Sequence, residues 1–435
     1  MESANLSYVR RFIPLALIAT IAAGCSAPAD RRPVLRVSNW GGAGDDGPFE
    51  QMIRRKDQEF EANTGAIVRK EGIPGEYVPK MLLNFVAGTQ PDVMVVDASS
   101  AAVFIDNGML QDLRPFMRQS KTFALDDFYA NVIATYTRGQ GDAPVYAIPN
   151  DFTPMVMYYN KDLFDAAGVP YPKDDWTFAD FLETSKRLTK KDQYGFAFSN
   201  WMPGWVMFLW NNGGDVLSPD GRKAEGYFDS NENVETVSFI RDLITKHRVA
   251  PSLSETAAMG VDPFANGQAA MTVSGHWAMV GFKSAKNIRW DRLGVVCMPH
   301  NVPTSQTVLY MSAYGIPKGA KNADLAWKYI EMWTSQALQR EYQTTGIAVC
   351  ARKDVSEERA GLGLVTEATP EQILERQFLP IVPTGRPPYG SRIEGYEIVE
   401  KVGTSAMQSV LNGADVQATL TEAAKRIDRE FAKSK

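Results

Sequence analysis

The segment Asp92-Val93-Met94-Val95-Val96-Asp97 is apolar on both faces of its run, and a strand of that kind has to be covered on both sides. It closes a strand–helix alternation. Residues 34–38 alternate in polarity and break at Asn39-Trp40-Gly41-Gly42, a polar helix is expected over 49–63, and Thr64-Gly65 supplies a suitable C-cap. Residues 66–68 read as a second strand and 80–87 as a helix stopped by Gly88. This order implies an α/β architecture with a mainly parallel sheet.

The pattern changes after Tyr146-Ala147-Ile148-Pro149. A strand is expected over 155–160, with helices near 162–167 and 178–188, and then comes an aromatic stretch holding Trp201, Trp205 and Trp210. Val234, Val237, Ile240, Leu243 and Ile244 recur at helical spacing behind the N-cap candidates Asp229-Ser230-Asn231. Residues 322–333 and 416–431 form two further amphipathic helices. At 435 residues, with 44% hydrophobic and 22% charged positions, the chain is long enough for two or three domains of ordinary globular composition.

The N-terminus reads as an export signal. Arg10-Arg11 precede an uncharged run over 12–23 that ends in Gly24-Cys25. That run is shorter than the roughly 20 residues a bilayer span needs, and it fits the core of a secretory signal peptide over 1–24. The ending Ile21-Ala22-Ala23-Gly24-Cys25 resembles the bacterial lipobox, in which the cysteine is lipidated, although Ala22 stands where Leu is usual. The alternative is a plain cleaved signal with an incidental cysteine. Residues 25–33 would then be a flexible tether, leaving the protein lipid-anchored at the outer face of the cell membrane or in the periplasm. A net charge of −5 gives no basic footprint for nucleic acid. With three cysteines there is no disulfide scaffold, and Cys297 and Cys350 read as free buried thiols.

Signatures of catalysis are missing: there is no G-x-S-x-G, H-E-x-x-H, Walker A or G-x-G-x-x-G sequence. His247, His276 and His300 are spread singly, without metal-ligand spacing, and read as surface or loop residues. The calcium-like start Asp229-x-Asn231-x-Asn233 has Val234 where glycine is required. Tyr158 and Tyr159 are strand neighbours and point to opposite faces, which argues against a shared metal ion. No catalytic residue, cofactor or metal is expected. Trp40, Trp201, Trp205, Trp210 and Trp277 sit instead at Gly- or Pro-marked segments read as loops. Flat aromatic faces beside carboxylates suit the rings and hydroxyls of neutral sugars.

Several stretches then resemble, in order, the extracellular solute-binding proteins of family 1, the maltose-binding-protein-like receptors of ABC sugar importers. They are Phe85-Val86-Ala87-Gly88-Thr89-Gln90-Pro91-Asp92-Val93, Tyr159-Asn160-Lys161-Asp162-Leu163-Phe164, and Phe264-Ala265-Asn266-Gly267-Gln268-Ala269-Ala270-Met271 followed by Gly275-His276-Trp277. Ile316-Pro317-Lys318, Ala326-Trp327, Arg386-Pro387-Pro388-Tyr389 and Leu411-Asn412-Gly413 continue the series. The resemblance implies a two-lobe periplasmic-binding-protein-like type II fold with the ligand between the lobes. Lobe one would be 34–150 plus 303–350, and lobe two 151–302 plus 351–435. Cys297 and Cys350 would both lie near lobe crossings, the one circumstance that makes their pairing worth testing.

Carried over by position, Trp277 would stack on the sugar and Gly275 would let the backbone approach it. Trp40, Asp97 and Asp151 would line lobe one and its crossing, while Trp205, Arg386 and Tyr389 would complete the wall of lobe two. Val96 stands where maltose-binding protein has tryptophan, which argues against a maltodextrin. The implied partners are a small-molecule ligand, the ABC permease transmembrane subunits and the membrane through the lipid anchor, with the chain acting as a monomer. The same fold also serves receptors for glycerol phosphate, polyamines or metal ions.

Overall fold

Leu35 and Val37 alternate inward from the first strand, β1 (Val34–Asn39), and pair it in parallel with β2 (Ile67–Gly72). The helix Pro48–Thr64 connects them. The computed structural model describes residues 32–39, 48–73, 76–139, 141–362 and 368–433. The signal segment, Cys25, most of the tether and Trp40 lie outside the described residues.

A parallel bridge between Val37 and Val93 brings in the third strand, β3 (Met94–Asp97). Beyond it the sheet is not the mainly parallel one the sequence led us to expect. The chain enters β4 (Ala147–Pro154), leaves for the second lobe, and returns as β8 (Thr307–Gly315), which runs antiparallel to both β3 and β4. A strand arriving from the far lobe has no crossover helix to turn it parallel, so direct antiparallel pairing is available to it. The short β9 (Val349–Cys350) closes the β4 edge, also antiparallel.

The second lobe is built on β5 (Val156–Asn160), flanked antiparallel by β6 (Met271–Ser274) and β7 (Leu293–Val296). Its two faces are both buried. Tyr158 packs toward Phe282 and Phe378, while Tyr159 packs toward Phe164 and Tyr171, the opposite orientation that strand geometry requires. The expected N-cap is present, with the Ser230 hydroxyl accepting from Asn233 N at the start of helix Asn231–Thr245. A last short strand, β10 (Gly385–Arg386), pairs in parallel with the start of β8.

Two local expectations fail. Trp205 and Trp210 are not in a loop: helix Met202–Asn211 carries both, and nearly every residue of it is buried. A helix apolar all round is a core helix, and Pro203 and Gly204 sit in its first turn, where proline is tolerated. His276 is not a surface residue either; it is 2% exposed. Cys297 and Cys350 are free and buried.

Candidate functional site

β8 presents Tyr310, Ser312 and Tyr314 on one face by its two-residue period. The neighbouring strands meet that face rung by rung: Asp97 of β3 pairs with Ser312 and Val95 with Tyr314, while Asp151 of β4 pairs with Ser312 and Thr153 with Tyr310. The register of β4 shifts between Pro149 and Asp151. Such a bulge inserts one residue and reverses which side chains face the partner's inward row. It is the reason Asp151 and Thr153 join Ser312 and Tyr310 rather than pointing away.

This face floors a cleft of about 500 Å³, within the range of small-molecule sites. Phe49, Ile53 and Lys70 close it from the first lobe, and Trp201 and Trp277 from the second. The Trp201 ring stacks on Tyr310, and Trp277 meets both edge-on at centroid distances of 6.3 and 5.9 Å. Trp201 and Trp277 stay 43% and 36% exposed in a protein whose other large aromatics are mostly buried. Trp201 escapes burial because it is the N-cap residue just outside helix Met202–Asn211.

The two carboxylates differ in what they can still accept. Asp151 takes hydrogen bonds from Tyr342 Oη at 2.6 Å, Ser312 Oγ at 2.7 Å, Asn150 Nδ2 at 3.1 Å and Ser312 N at 3.2 Å. Those four donors take most of a carboxylate's capacity. Asp97 receives the Ser99 amide at 2.7 Å and the Ser99 hydroxyl on Oδ1, and no described residue donates to its Oδ2. Burial pushes both carboxyls above the usual range. Hydrogen bonds from Ser99 pull Asp97 partly back, while the charge of Asp151 adds to its rise.

Lys70 is the only lysine or arginine among the described lining residues of this cleft. Its Nζ donates to Tyr329 Oη at 2.6 Å and stands 3.6 Å from Asp57. Burial pulls Lys70 below the ordinary lysine range, with Asp57 opposing.

Asp97 also borders a wider interlobe cavity of about 980 Å³, with Tyr77, Leu82, Arg222, Tyr396 and Glu400 on its walls. Burial, and then the charges of Asp97 and Glu397, push the Glu400 carboxyl up to about 7.

The structure thus brings together Asp97, Asp151 and Trp277 of the residues expected from the sequence. Trp205 is separated from them: at 1% exposure it fills the second-lobe core. Arg386 and Tyr389 do not line the cleft. Arg386 donates to Asp215 at 2.8 Å, to Gln306 at 3.0 Å and to Tyr389 Oη at 2.9 Å, and stacks 4.2 Å over Trp210, while Tyr389 also donates to Asp215. That polar cluster satisfies itself. At Gly275 a Cβ would collide with the Trp277 ring and the Thr153 methyl, so the missing side chain makes room for the indole. Sequence reasoning assigned no role to Tyr310 or Ser312, although Tyr310-x-Ser312-x-Tyr314 is a legible alternation. Among the described residues no cluster of metal-ligating side chains occurs, and no helix is long and apolar enough to cross a membrane.

Residues 57–362 match a family described as bacterial extracellular solute-binding protein. A binding protein of Brucella abortus is 23% identical over 88% of this chain and 89% of its own length. The maltooligosaccharide ABC transporter solute-binding lipoprotein of Streptococcus pneumoniae is 24% identical over 67% of each chain. In fold, the chain is similar to an ABC substrate-binding protein from Listeria monocytogenes solved in complex with cycloalternan. The TM-score is 0.78 at 21% identity, covering 92% of this chain and 99% of that one.

Proposed function

This chain belongs to the bacterial extracellular solute-binding proteins, and on that premise we propose that it captures a neutral mono- or oligosaccharide between its lobes and delivers it to the membrane permease of an ABC importer. The observation that carries the sugar is the aromatic group of exposed Trp201 and Trp277 with Tyr310, lining the same cleft as the open acceptor of Asp97. Aromatic faces cover the apolar face of a pyranose, and a carboxylate accepts strongly from its hydroxyls. The sugar-binding relatives described above support the same reading.

A phosphorylated ligand fits this cleft less well, since Lys70 is already engaged by Asp57 and Tyr329. Arg222 is exposed and belongs to the wider cavity. Hydrolysis of a glycoside needs a pair of working carboxyls, and Asp151 is occupied by four protein donors. The binding role of the family supports capture rather than turnover. Ligand contacting both lobes favours the closed arrangement, because only there are both sets of contacts made. Residues 1–24 would export the chain, and Cys25 would carry the lipid that holds the monomer at the membrane.

A thermal-shift screen of the mature protein tests this, because a ligand that binds the native state raises the melting temperature. Neutral mono- and oligosaccharides, glycerol phosphate and spermidine form the panel. A shift with at least one sugar is expected. A shift confined to glycerol phosphate or spermidine would overturn the sugar reading, and turnover of any sugar would overturn capture alone.

A further inference from the structure

Trp277 is preceded in sequence by a histidine that makes no contact with the cleft yet ties two of its walls together. His276 Nδ1 lies 3.1 Å from the carbonyl oxygen of Gly346, and Nε2 lies 3.0 and 3.1 Å from the two carboxylate oxygens of Glu375. Both partners are acceptors. A neutral imidazole offers one N–H and an imidazolium offers two, so only the charged ring satisfies both.

The surroundings agree with that charge state. His276 is 2% and Glu375 8% exposed, and a buried carboxylate persists only when paired. Although burial alone pushes Glu375 up, the adjacent His276, and then Arg359 and Lys283, more than offset it and leave its carboxyl below the usual range. Arg359 Nε stands 3.9 Å from Glu375, and Glu371 bonds Lys283 and Arg359 rather than the histidine. The Phe378 ring covers His276 at 4.8 Å, and Tyr158 Oη donates to the carbonyl of neighbouring Gly275.

The consequence reaches the binding cleft through both ends of the clasp. On one side Trp277 follows His276 directly. On the other, Ile347 and Ala348 follow Gly346 and line the same cleft. We propose that His276, clamped between the Gly346 carbonyl and the Glu375 carboxylate, is a positioning residue that holds the Trp277 platform against the 346–348 wall. Removing either acceptor opens the clasp at one end. The inference gives the residue behind the sugar platform and rests on the proposed role of Trp277 in binding.

The spectroscopic readouts need no sugar, so they are separable from the carbohydrate reading. The chain has three histidines, so ¹⁵N-histidine labelling of the full mature protein gives few signals, assigned with His247→Asn and His300→Asn. His276 is expected to show both nitrogens protonated and both slowly exchanging with solvent, as hydrogen bonds to two acceptors require. A neutral, singly protonated ring would overturn the proposal in the unmodified protein. With 5-fluorotryptophan incorporated, and Trp277→Phe for assignment, the Trp277 ¹⁹F resonance should shift in a folded Glu375→Gln variant. A Trp277 resonance unmoved in that variant would reduce the histidine to a structural filler. Affinity of Glu375→Gln for whichever panel sugar gives the largest thermal shift should fall roughly three- to tenfold, the range of one lost hydrogen bond; an unchanged affinity would also overturn the proposal.

Discussion

The indole of Trp201 lies almost parallel to the ring of Tyr310, with centroids 6.0 Å apart and 14° between planes. One ring comes from the residue capping a second-lobe helix, the other from β8, the strand that returns to the first-lobe sheet. This stacking holds the Trp201 indole while 43% of the residue stays exposed, so less side-chain freedom is left to lose on binding.

Trp277→Ala and Trp205→Ala should therefore fail in different ways. The first removes a half-exposed ring and is expected to weaken sugar binding by roughly 1–3 kcal/mol with little loss of stability. The second empties a core position and should cost about 3–5 kcal/mol of stability. Calorimetric binding and denaturant unfolding on both variants separate the two, and a Trp277→Ala variant with unchanged affinity would remove Trp277 from the site.

The carboxylates predict a second contrast. Asp97→Asn should chiefly weaken binding, since its Oδ2 has no donor among the described residues. Asp151→Asn turns an acceptor used by Ser312, Tyr342 and Asn150 partly into a donor. Its main expected effect is a loss of roughly 1–3 kcal/mol of stability, read by urea unfolding.

Gly275→Ala should act on the neighbour rather than on itself. The new methyl occupies space held by the Trp277 ring and Thr153, so the indole has to swing out. Overpacking of this kind costs about 1–3 kcal/mol. The Trp277 fluorescence environment should change, and affinity should fall toward that of Trp277→Ala.

Glu400 gives a pH dependence with a definite sign. Its folded value of about 7 is above the ordinary carboxylate value of 4.5. The folded state thus holds the proton more tightly, and this contribution to stability is complete below about 4.5 and lost as pH rises to about 7. Glu400→Gln should flatten that part of the melting-temperature profile. An unchanged slope in the variant would assign it to other groups.

Cys25→Ser tests the anchor. The variant should appear in the soluble exported fraction while the unmodified protein stays with membranes. Continued membrane association of the variant would rule out lipidation at Cys25.

The sequence by itself determined the class of fold and the order of its parts. Apolar runs such as 92–97 and the Ser230 cap rest on local periodicity and short-range hydrogen bonding, which are written along the chain, and the ordered stretches are legible there as a family resemblance. What only the tertiary structure decided is which residues share the cleft. Trp201 and Trp205 are four positions apart and chemically identical, yet the helix boundary leaves one facing the cleft and buries the other. Asp151 joins Ser312 because a single register shift after Pro149 reverses the facing of β4, and a one-residue slip moves every later side chain to the other face. His276 finds its two acceptors 70 and 99 residues away. Each of these depends on contacts between segments distant in sequence, and no local pattern encodes them.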